Sequence, residues 1–392
     1  SSLNGYGGYL WATNPLASDG DEGSVAAFRQ FQGLNESSGY IGSSQTEDGE
    51  EWFTEQRLNV RYPTGQEEPN LPTATGLPAG RYPSAVFPNS GMPTALWNEY
   101  TNSDHGGGTY GGYPLYTYDS QGIGEFSSWV NPFHMNNGCG TMPCDPQDLW
   151  KSNAQVVNLE DAPILTSLYD GWSDDPDKNY FVRSSFHANG YFLLNNPYLI
   201  ADDALISGDG NNLWRDTYTS EPDYHINDEG EGYLVQTGYA DREGHWLHTL
   251  WVKNTEDAGE TWNDDGYLGT GYHPISDDVM LRLTDSLFNH FSSNPSIYPN
   301  QLHYGDSIFY SDEDEAYLLT PGLFLYYDPD VRTDQNGGLH VVVTGVPLVC
   351  SDADNGCEDN NGDGLADSLY VESQFGSAGH YYFYAPDPVN QP

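Results

Sequence analysis

Positive charge is what this chain has least of. Twelve Lys and Arg stand against 58 Asp and Glu, a formal net charge of -46, and the lysines are Lys151, Lys178 and Lys253 alone. Nucleic acid and anionic lipid surfaces are poor partners for such a chain, because nothing offsets phosphate repulsion; divalent cations fit it well. Long apolar runs are missing too. No stretch approaches the roughly 20 residues that span a bilayer, so membrane insertion is not expected. No basic segment followed by an apolar one opens the chain, and a start at Ser1 without Met reads as a mature, processed form. Long amphipathic helical periods are scarce. The best short candidate runs from Ser276 to Phe291, where Val279, Leu281, Leu283 and Leu287 recur irregularly. Cysteines number four, in two close pairs, Cys139 with Cys144 and Cys350 with Cys357. Two short-loop disulfides in an oxidising compartment are the expected reading; zinc is disfavoured, since neither pair has the C-x2-C spacing.

Aromatics, glycine and proline are abundant. Thirty Tyr and 10 Trp accompany 44 Gly and 25 Pro. Disordered acidic chains lack aromatics, so this one folds. Aromatic and β-branched runs separated by Gly, Pro, Asn and Asp turns indicate an all-β protein.

The segment Thr255-Glu256-Asp257-Ala258-Gly259-Glu260-Thr261-Trp262 resembles the Asp-box, S/T-x-D-x-G-x-T-W. In secreted propellers of the BNR type, sialidases among them, that motif marks a turn between outer strands of a blade. The chemistry suits a turn: Asp257 can accept backbone N–H bonds, Gly259 supplies positive φ, and Trp262 packs back on the blade. Ser103–Tyr110 and Ser207–Trp214 look like weaker copies. A second repeat pairs Asp228–Val235 with Asp334–Val341 as D-x-x-G hairpins, with Pro88–Trp97 and Ala188–Leu193 as further copies. A third follows them at Gly111–Tyr116, Gly244–His248 and Gly379–Tyr384, with Gly7–Trp11 similar. The resemblance implies one β-propeller over residues 1–392, with a calcium-loop insertion at about 350–370. Seven blades is the expected count and six the next, with the N- and C-terminal strands sharing one blade. Gly80-Arg81-Tyr82-Pro83-Ser84 and Trp97-Asn98-Glu99-Tyr100-Thr101 further resemble patterns in surface proteins exported by the type IX system of Bacteroidota. That resemblance implies a secreted or cell-surface location.

The clearest metal signal is Asp359-Asn360-Asn361-Gly362-Asp363-Gly364-Leu365-Ala366-Asp367, similar to the first nine positions of EF-hand, dockerin or thrombospondin type 3 calcium loops. Oxygens of Asp359, Asn361, Asp363 and Asp367, with the Leu365 carbonyl, would wrap a structural calcium ion, Gly364 making the bend. Tyr370 stands where an EF-hand has its bidentate Glu, which leaves the shorter loop. A solvated acidic loop is the competing reading.

Catalytic signals are thin. Sialidase chemistry needs three arginines on a carboxylate; Arg61-Tyr62-Pro63 and Arg81-Tyr82-Pro83 resemble its R-x-P motif only faintly, and so acidic a chain opposes an anionic sugar. Propeller polysaccharide lyases use His and Tyr with Arg, for which His134, Arg183, His187 and Tyr191 are weak candidates. Strict alternation would put Arg183 and His187 on one strand face. The His-aromatic steps His245-Trp246 and His380-Tyr381 read as blade packing. Asn35-Glu36-Ser37 is a glycosylation sequon, and Asp285-Ser286-Leu287, Asp306-Ser307-Ile308 and Asp367-Ser368-Leu369 resemble O-glycosylation sites of Bacteroidota. The expected function is therefore an extracellular propeller module for adhesion, glycan binding or assembly, without catalysis. Its partners would be a glycan, another surface protein or copies of itself. The alternative is a carbohydrate-active propeller, lyase or sialidase-like hydrolase.

Overall fold

The computed structural model describes residues 13–18, 23–31, 39–60, 80–101, 111–124, 126–135, 149–171, 178–201, 222–242, 245–264, 271–292, 307–311, 316–319, 322–325, 329–349, 370–371 and 379–386. The chain is all-β, built from antiparallel meanders of the propeller-blade kind. It divides into two compact units. One comprises Ser1–Asp202, Ile226–Glu231 and Glu256–Thr261; the other comprises Asp203–His225, Gly232–Thr255 and Trp262–Pro392.

The first unit holds three meanders. β1 (Leu16–Ser18), β2 (Ser24–Phe31), β3 (Gly39–Thr46) and β4 (Phe53–Glu55) form the first, and β5 (Gly80–Val86), β6 (Thr94–Thr101), β7 (Gly111–Tyr118) and β8 (Phe133–His134) the second. A single register pair, Gly39 with Gly80, joins them into one sheet. β9 (Leu149–Asn158), β10 (Pro163–Gly171), β11 (Asn179–Ala188), β12 (Tyr191–Leu194) and β13 (Tyr198–Ala201) form the third, with β12 and β13 both on β11. Both faces of the second meander are buried, so its strands are apolar on successive residues. Ala95, Trp97 and Leu115 pack with Val25, Ala27 and Ile41 of the first meander. Leu96 and Tyr116 pack with Leu165, Val182 and Phe192 of the third. This alternation to two buried faces is what stacked blades require.

The second unit carries β14 (Asp223–Ile226, its last residue outside the unit), β15 (Gly232–Arg242), β16 (His245–Thr255) and β17 (His273–Pro274) as a fourth meander. The short candidate stretch forms a helix, α1 (Asp277–Ser292). After β18 (Ser307–Ser311) and β19 (Ala316–Leu319) comes a last sheet of β20 (Gly322–Leu325), β21 (Asp330–Thr333), β22 (Leu339–Val349), β23 (Tyr370–Val371) and β24 (Gly379–Ala385), all centred on β22. Val235, Leu250 and Val252 of the fourth meander share a core with Met280 of α1 and with Leu323, Val331, Val341 and Val343.

The repeats take definite places. The third repeat lies on β7, β16 and β24, each antiparallel to the strand that follows a hairpin turn, β6, β15 and β22. The D-x-x-G hairpin joins β14 to β15 and β21 to β22, but its register is one residue away from the expected one. Asn227, not Asp228, matches Asp334: the Oδ1 of Asn227 accepts the N–H groups of Glu229 and Glu231, and that of Asp334 accepts those of Asn336 and Gly338. Asp228 instead accepts the N–H of Asn158, whose own Oδ1 accepts the N–H of Asn89. Successive hairpin tips are thus linked by side-chain acceptors. Pro88–Gly91 occupies the same position between β5 and β6, whereas Ala188–Tyr191 joins third and fourth strands. The latter is a two-residue Asn-Gly turn with φ of 49° and 83°, a different device from the longer hairpin.

Thr255–Trp262 lies between β16 and β17, third strand to fourth. Thr261 donates its N–H to Asp257 Oδ1 at 2.8 Å and its hydroxyl to Oδ2 at 2.6 Å, while Ala258 and Gly259 take φ of 57° and 75°. A shorter relative of this turn joins β3 to β4: Thr46-Glu47-Asp48-Gly49-Glu50-Glu51-Trp52. Here Asp48 Oδ1 accepts from Glu50 and Glu51, and Thr46 Oγ1 accepts from Gly49. The proposed copies at Ser103–Tyr110 and Ser207–Trp214, the four cysteines, the calcium loop 359–367 and the Gly7–Trp11 strand lie outside the described residues.

Candidate functional site

The four lyase-type candidates do not come together. A bulge in β11, where Ser184 faces Leu194 but Phe186 faces Leu193, inserts Ser185 and reverses the alternation. Arg183 and His187 therefore project from opposite faces, correcting the expectation that they share one. Arg183 donates through Nε to the Ala258 carbonyl at 3.0 Å and pairs with Glu260 at 3.5 Å, so it props the turn after β16. His187 stacks on Phe192 at 4.7 Å and accepts the N–H of Gly190, closing its own hairpin. Tyr191 meets Phe133 edge-on at 5.0 Å. His134 follows Phe133 on β8 and so lies on the opposite face, beside Leu115; burial drives its imidazole down to about 4.

A different group of polar and aromatic side chains converges in the second unit. β24 reads Gly379-His380-Tyr381-Tyr382-Phe383-Tyr384-Ala385 and alternates between half-buried and exposed. Tyr381 and Phe383 face the core, which leaves Tyr382 and Tyr384 turned outward, 61% and 52% exposed. Side by side they form a small contiguous aromatic patch, the kind of surface feature that marks interaction sites. β22 contributes His340 and Val342 to the same face through the registers His340 with Tyr384 and Val342 with Tyr382. The His340 ring lies 4.7 Å from that of Tyr384 and 5.9 Å from that of Tyr382.

These rings are held by a hydrogen-bonded chain. His340 Nε2 is 3.0 Å from Asp334 Oδ2, and His340 Nδ1 is 2.6 Å from the Tyr382 hydroxyl. The Asp334 carboxyl is held below the usual range by the backbone N–H of Gly338 first, then by His340 and the N–H of Asn336. It is therefore ionised at neutral pH and can only accept. With neutral His340, that places the ring proton on Nε2 and leaves Nδ1 to accept from the phenol. The chain fixes the orientation of Tyr382 against the face. Arg332, on β21, and Thr344 with His380, 3.2 Å apart, supply polar groups on the margin. The sequence marks Asp334–Val341 and Gly379–Tyr384 as repeats but not the face they share, because the aromatics of β24 occupy both sides of the strand.

Beneath it is an apolar cavity of about 340 Å³, lined by Val252, Ile275, Val279, Leu283, Val341 and Phe383 among others, with Tyr382 and Tyr384 at its border. Among the described residues no group of three or more His, Cys, Asp or Glu is placed to hold a metal ion. No described helix is long and apolar enough to cross a membrane.

No family model matches this chain, and no curated protein matches it in sequence. Solved structures align with it at low identity. Polysaccharide lyase Uly1 is 9% identical, with 96% of this chain and 72% of that chain covered and a TM-score of 0.48. The sialidase NanB of Streptococcus pneumoniae is 10% identical, with 95% and 67% covered and a TM-score of 0.37. A xylan β-1,4-xylosidase from Bacillus halodurans is 11% identical, with 86% of this chain covered and a TM-score of 0.36; this chain spans about half of that protein, 49%.

Proposed function

We propose that this chain is an extracellular glycan-binding module on a β-propeller scaffold, acting without catalysis. The observation that supports the reading is the outward pair Tyr382 and Tyr384 with His340 between them. Tyrosines two apart on a strand stand roughly 7 Å from each other, a spacing on which flat sugar faces can rest. Aromatic faces supply apolar contact to the C–H groups of a sugar ring, while hydroxyl and imidazole groups at the edge bond its hydroxyls. A rigid, pre-oriented Tyr382 lowers the ordering cost of binding.

A carbohydrate-active reading has one observation in its favour, the Asp334–His340–Tyr382 chain, which orders acid, base and phenol as a proton relay needs. We place it second because Tyr382 stands in open solvent, where proton transfer gains little from desolvation. Within the proposal, residues 359–367 bind a structural calcium ion, the cysteines form two local disulfides, and the turn at Thr255–Trp262 is an Asp-box. The first strands of the first four meanders begin at Leu16, Gly80, Leu149 and Asp223, roughly 70 residues apart, longer than a minimal four-stranded blade. That spacing favours fewer blades than the seven or six expected.

The test is a panel of neutral and acidic polysaccharides in affinity electrophoresis, run beside assays for new reducing ends and for ultraviolet absorbance of unsaturated uronates. Retardation by at least one polysaccharide without product is the expected result. Product formation would shift the reading to the enzyme, and no retardation by any would remove the glycan reading.

A further inference from the structure

One proton on His340 reverses the hydrogen bond between His340 and Tyr382. His340 Nδ1 and the Tyr382 oxygen stand 2.6 Å apart, and His340 Nε2 and Asp334 Oδ2 stand 3.0 Å apart. Asp334 only accepts, so the Nε2 proton stays on that side. In the neutral imidazole Nδ1 accepts, and the phenol commits its single O–H to it. The Tyr382 oxygen then meets a ligand with lone pairs alone. In the imidazolium both ring nitrogens donate. Nδ1 then donates to the phenol oxygen across the same distance, and the Tyr382 O–H turns outward. No heavy atom has to move, and the exposed position of Tyr382 leaves the released donor accessible.

The groups facing His340 are few. On β21, Arg332 is in register with it and pairs with Asp330 at 3.1 Å, both well exposed. On β24 stand Tyr384, in register, then Tyr382 and His380 at alternate positions of the same face. Asp334, from the turn between β21 and β22, completes the set among the described residues. With His340 neutral, the carboxylates of Asp330 and Asp334 outnumber the Arg332 guanidinium. An anionic sugar then meets repulsion, and an acceptor where it needs a donor; the net charge of -46 adds to the repulsion. Protonation of His340 balances the local charges and supplies the donor. Neutral sugars are indifferent to the reversal, since a hydroxyl both donates and accepts, whereas a carboxylate or sulfate only accepts. We propose that His340 sets the ligand class of the Tyr382–Tyr384 face: neutral sugars at neutral pH, with sugars carrying a carboxylate or sulfate admitted once His340 is protonated. This rests on the glycan-binding reading and names its pH-dependent specificity.

The experiment follows binding of methyl β-glucoside and methyl β-glucuronide by nuclear magnetic resonance, using protein with isotope-labelled histidine, from about pH 8 to about pH 5, the interval in which histidines change charge. The ratio of glucuronide to glucoside affinity is expected to rise about tenfold as pH falls, in line with the gain of one hydrogen bond to a charged group. By linkage, saturating glucuronide moves the His340 titration to higher pH, whereas glucoside leaves it in place. His340→Gln keeps the other titrating groups and should flatten the ratio. Tyr382→Phe, which keeps the ring and removes the hydroxyl, should cut the rise severalfold. A rise that persists in His340→Gln, or at full size in Tyr382→Phe, traces to charge elsewhere and overturns the switch. A ratio that does not change with pH in the parent protein overturns it too. If a variant does not fold, as judged by circular dichroism, the His340 titration in the parent decides alone, and an equal response to both probes refutes the assignment. Binding of neither probe at any pH overturns the inference, and the polysaccharide panel then judges the glycan reading independently.

Discussion

At the scale of single residues, Gly259 shows how closely the turn after β16 is specified. Its φ of 75° suits glycine, and a Cβ there would come 2.7 Å from Phe181 Cζ. Phe181 is wholly buried, so it has little room to retreat. Gly259→Ala is expected to destabilise by about 1–3 kcal/mol, from left-handed strain and overpacking together. A denaturant midpoint indistinguishable from the parent protein would refute this. The turn was legible in the sequence because its donors and acceptors lie within a few residues of one another. The neighbouring hairpin was only half legible. Asn227 and Asp228 both offer an acceptor oxygen, and only the fold shows that the first closes the turn and the second reaches Asn158. Tyr382 and Tyr384 were not legible at all, since Tyr381 and Phe383 present an equally aromatic opposite face.

At the scale of elements, the joint between the fourth meander and the last sheet includes side chains that accept backbone N–H groups. Asp223 Oδ2 accepts from Val331 at 2.8 Å, His225 Nδ1 from Thr333 at 3.0 Å, and His248 Nδ1 from Leu325 at 2.9 Å. Burial lowers His248 to about 3 and His225 to about 4, the latter helped by Arg332. Both must stay neutral to accept. The unfolded chain takes up their protons from about pH 6.5 downward. Their contribution is therefore complete above that pH and is lost as pH falls towards 4 and 3. Asp223 runs the other way. Desolvation raises it to about 7, so the folded state holds a proton that the unfolded state, at about 3.8 to 3.9, has released. Its contribution is full below the unfolded value and is lost as pH rises through 7. Asp223→Asn keeps an acceptor and removes that loss. Its melting temperature relative to the parent is expected to climb steadily from pH 4 to pH 8, and a pH-independent difference would contradict the assignment. Such joints escape a reading of the chain because their partners are about a hundred residues apart. The bulge at Ser184–Phe186 escapes for a related reason: only pairing with β12 reveals the extra residue that parts Arg183 from His187.

At the scale of the whole molecule, a net charge of -46 means that folding works against self-repulsion. Screening shortens the reach of those charges from about 30 Å at 0.01 M salt to about 8 Å at 0.15 M. The melting temperature is expected to rise over that interval in sodium chloride; a fall would mean that favourable ion pairs outweigh repulsion. The all-β class was readable from composition and turn residues, and so was the repeated strand that recurs as β7, β16 and β24. The exposed face on which the proposed binding rests was not, because exposure is a property of the assembled sheet. The central claim is that Tyr382 and Tyr384 carry glycan recognition. Its most direct measurement is calorimetric titration of the polysaccharide that binds best, using the parent protein and Tyr382→Ala/Tyr384→Ala at matched thermal stability. The account predicts that the double substitution weakens binding by about tenfold or more, as the loss of two stacking contacts worth roughly 1 kcal/mol each requires. Equal affinity in the two proteins would contradict it.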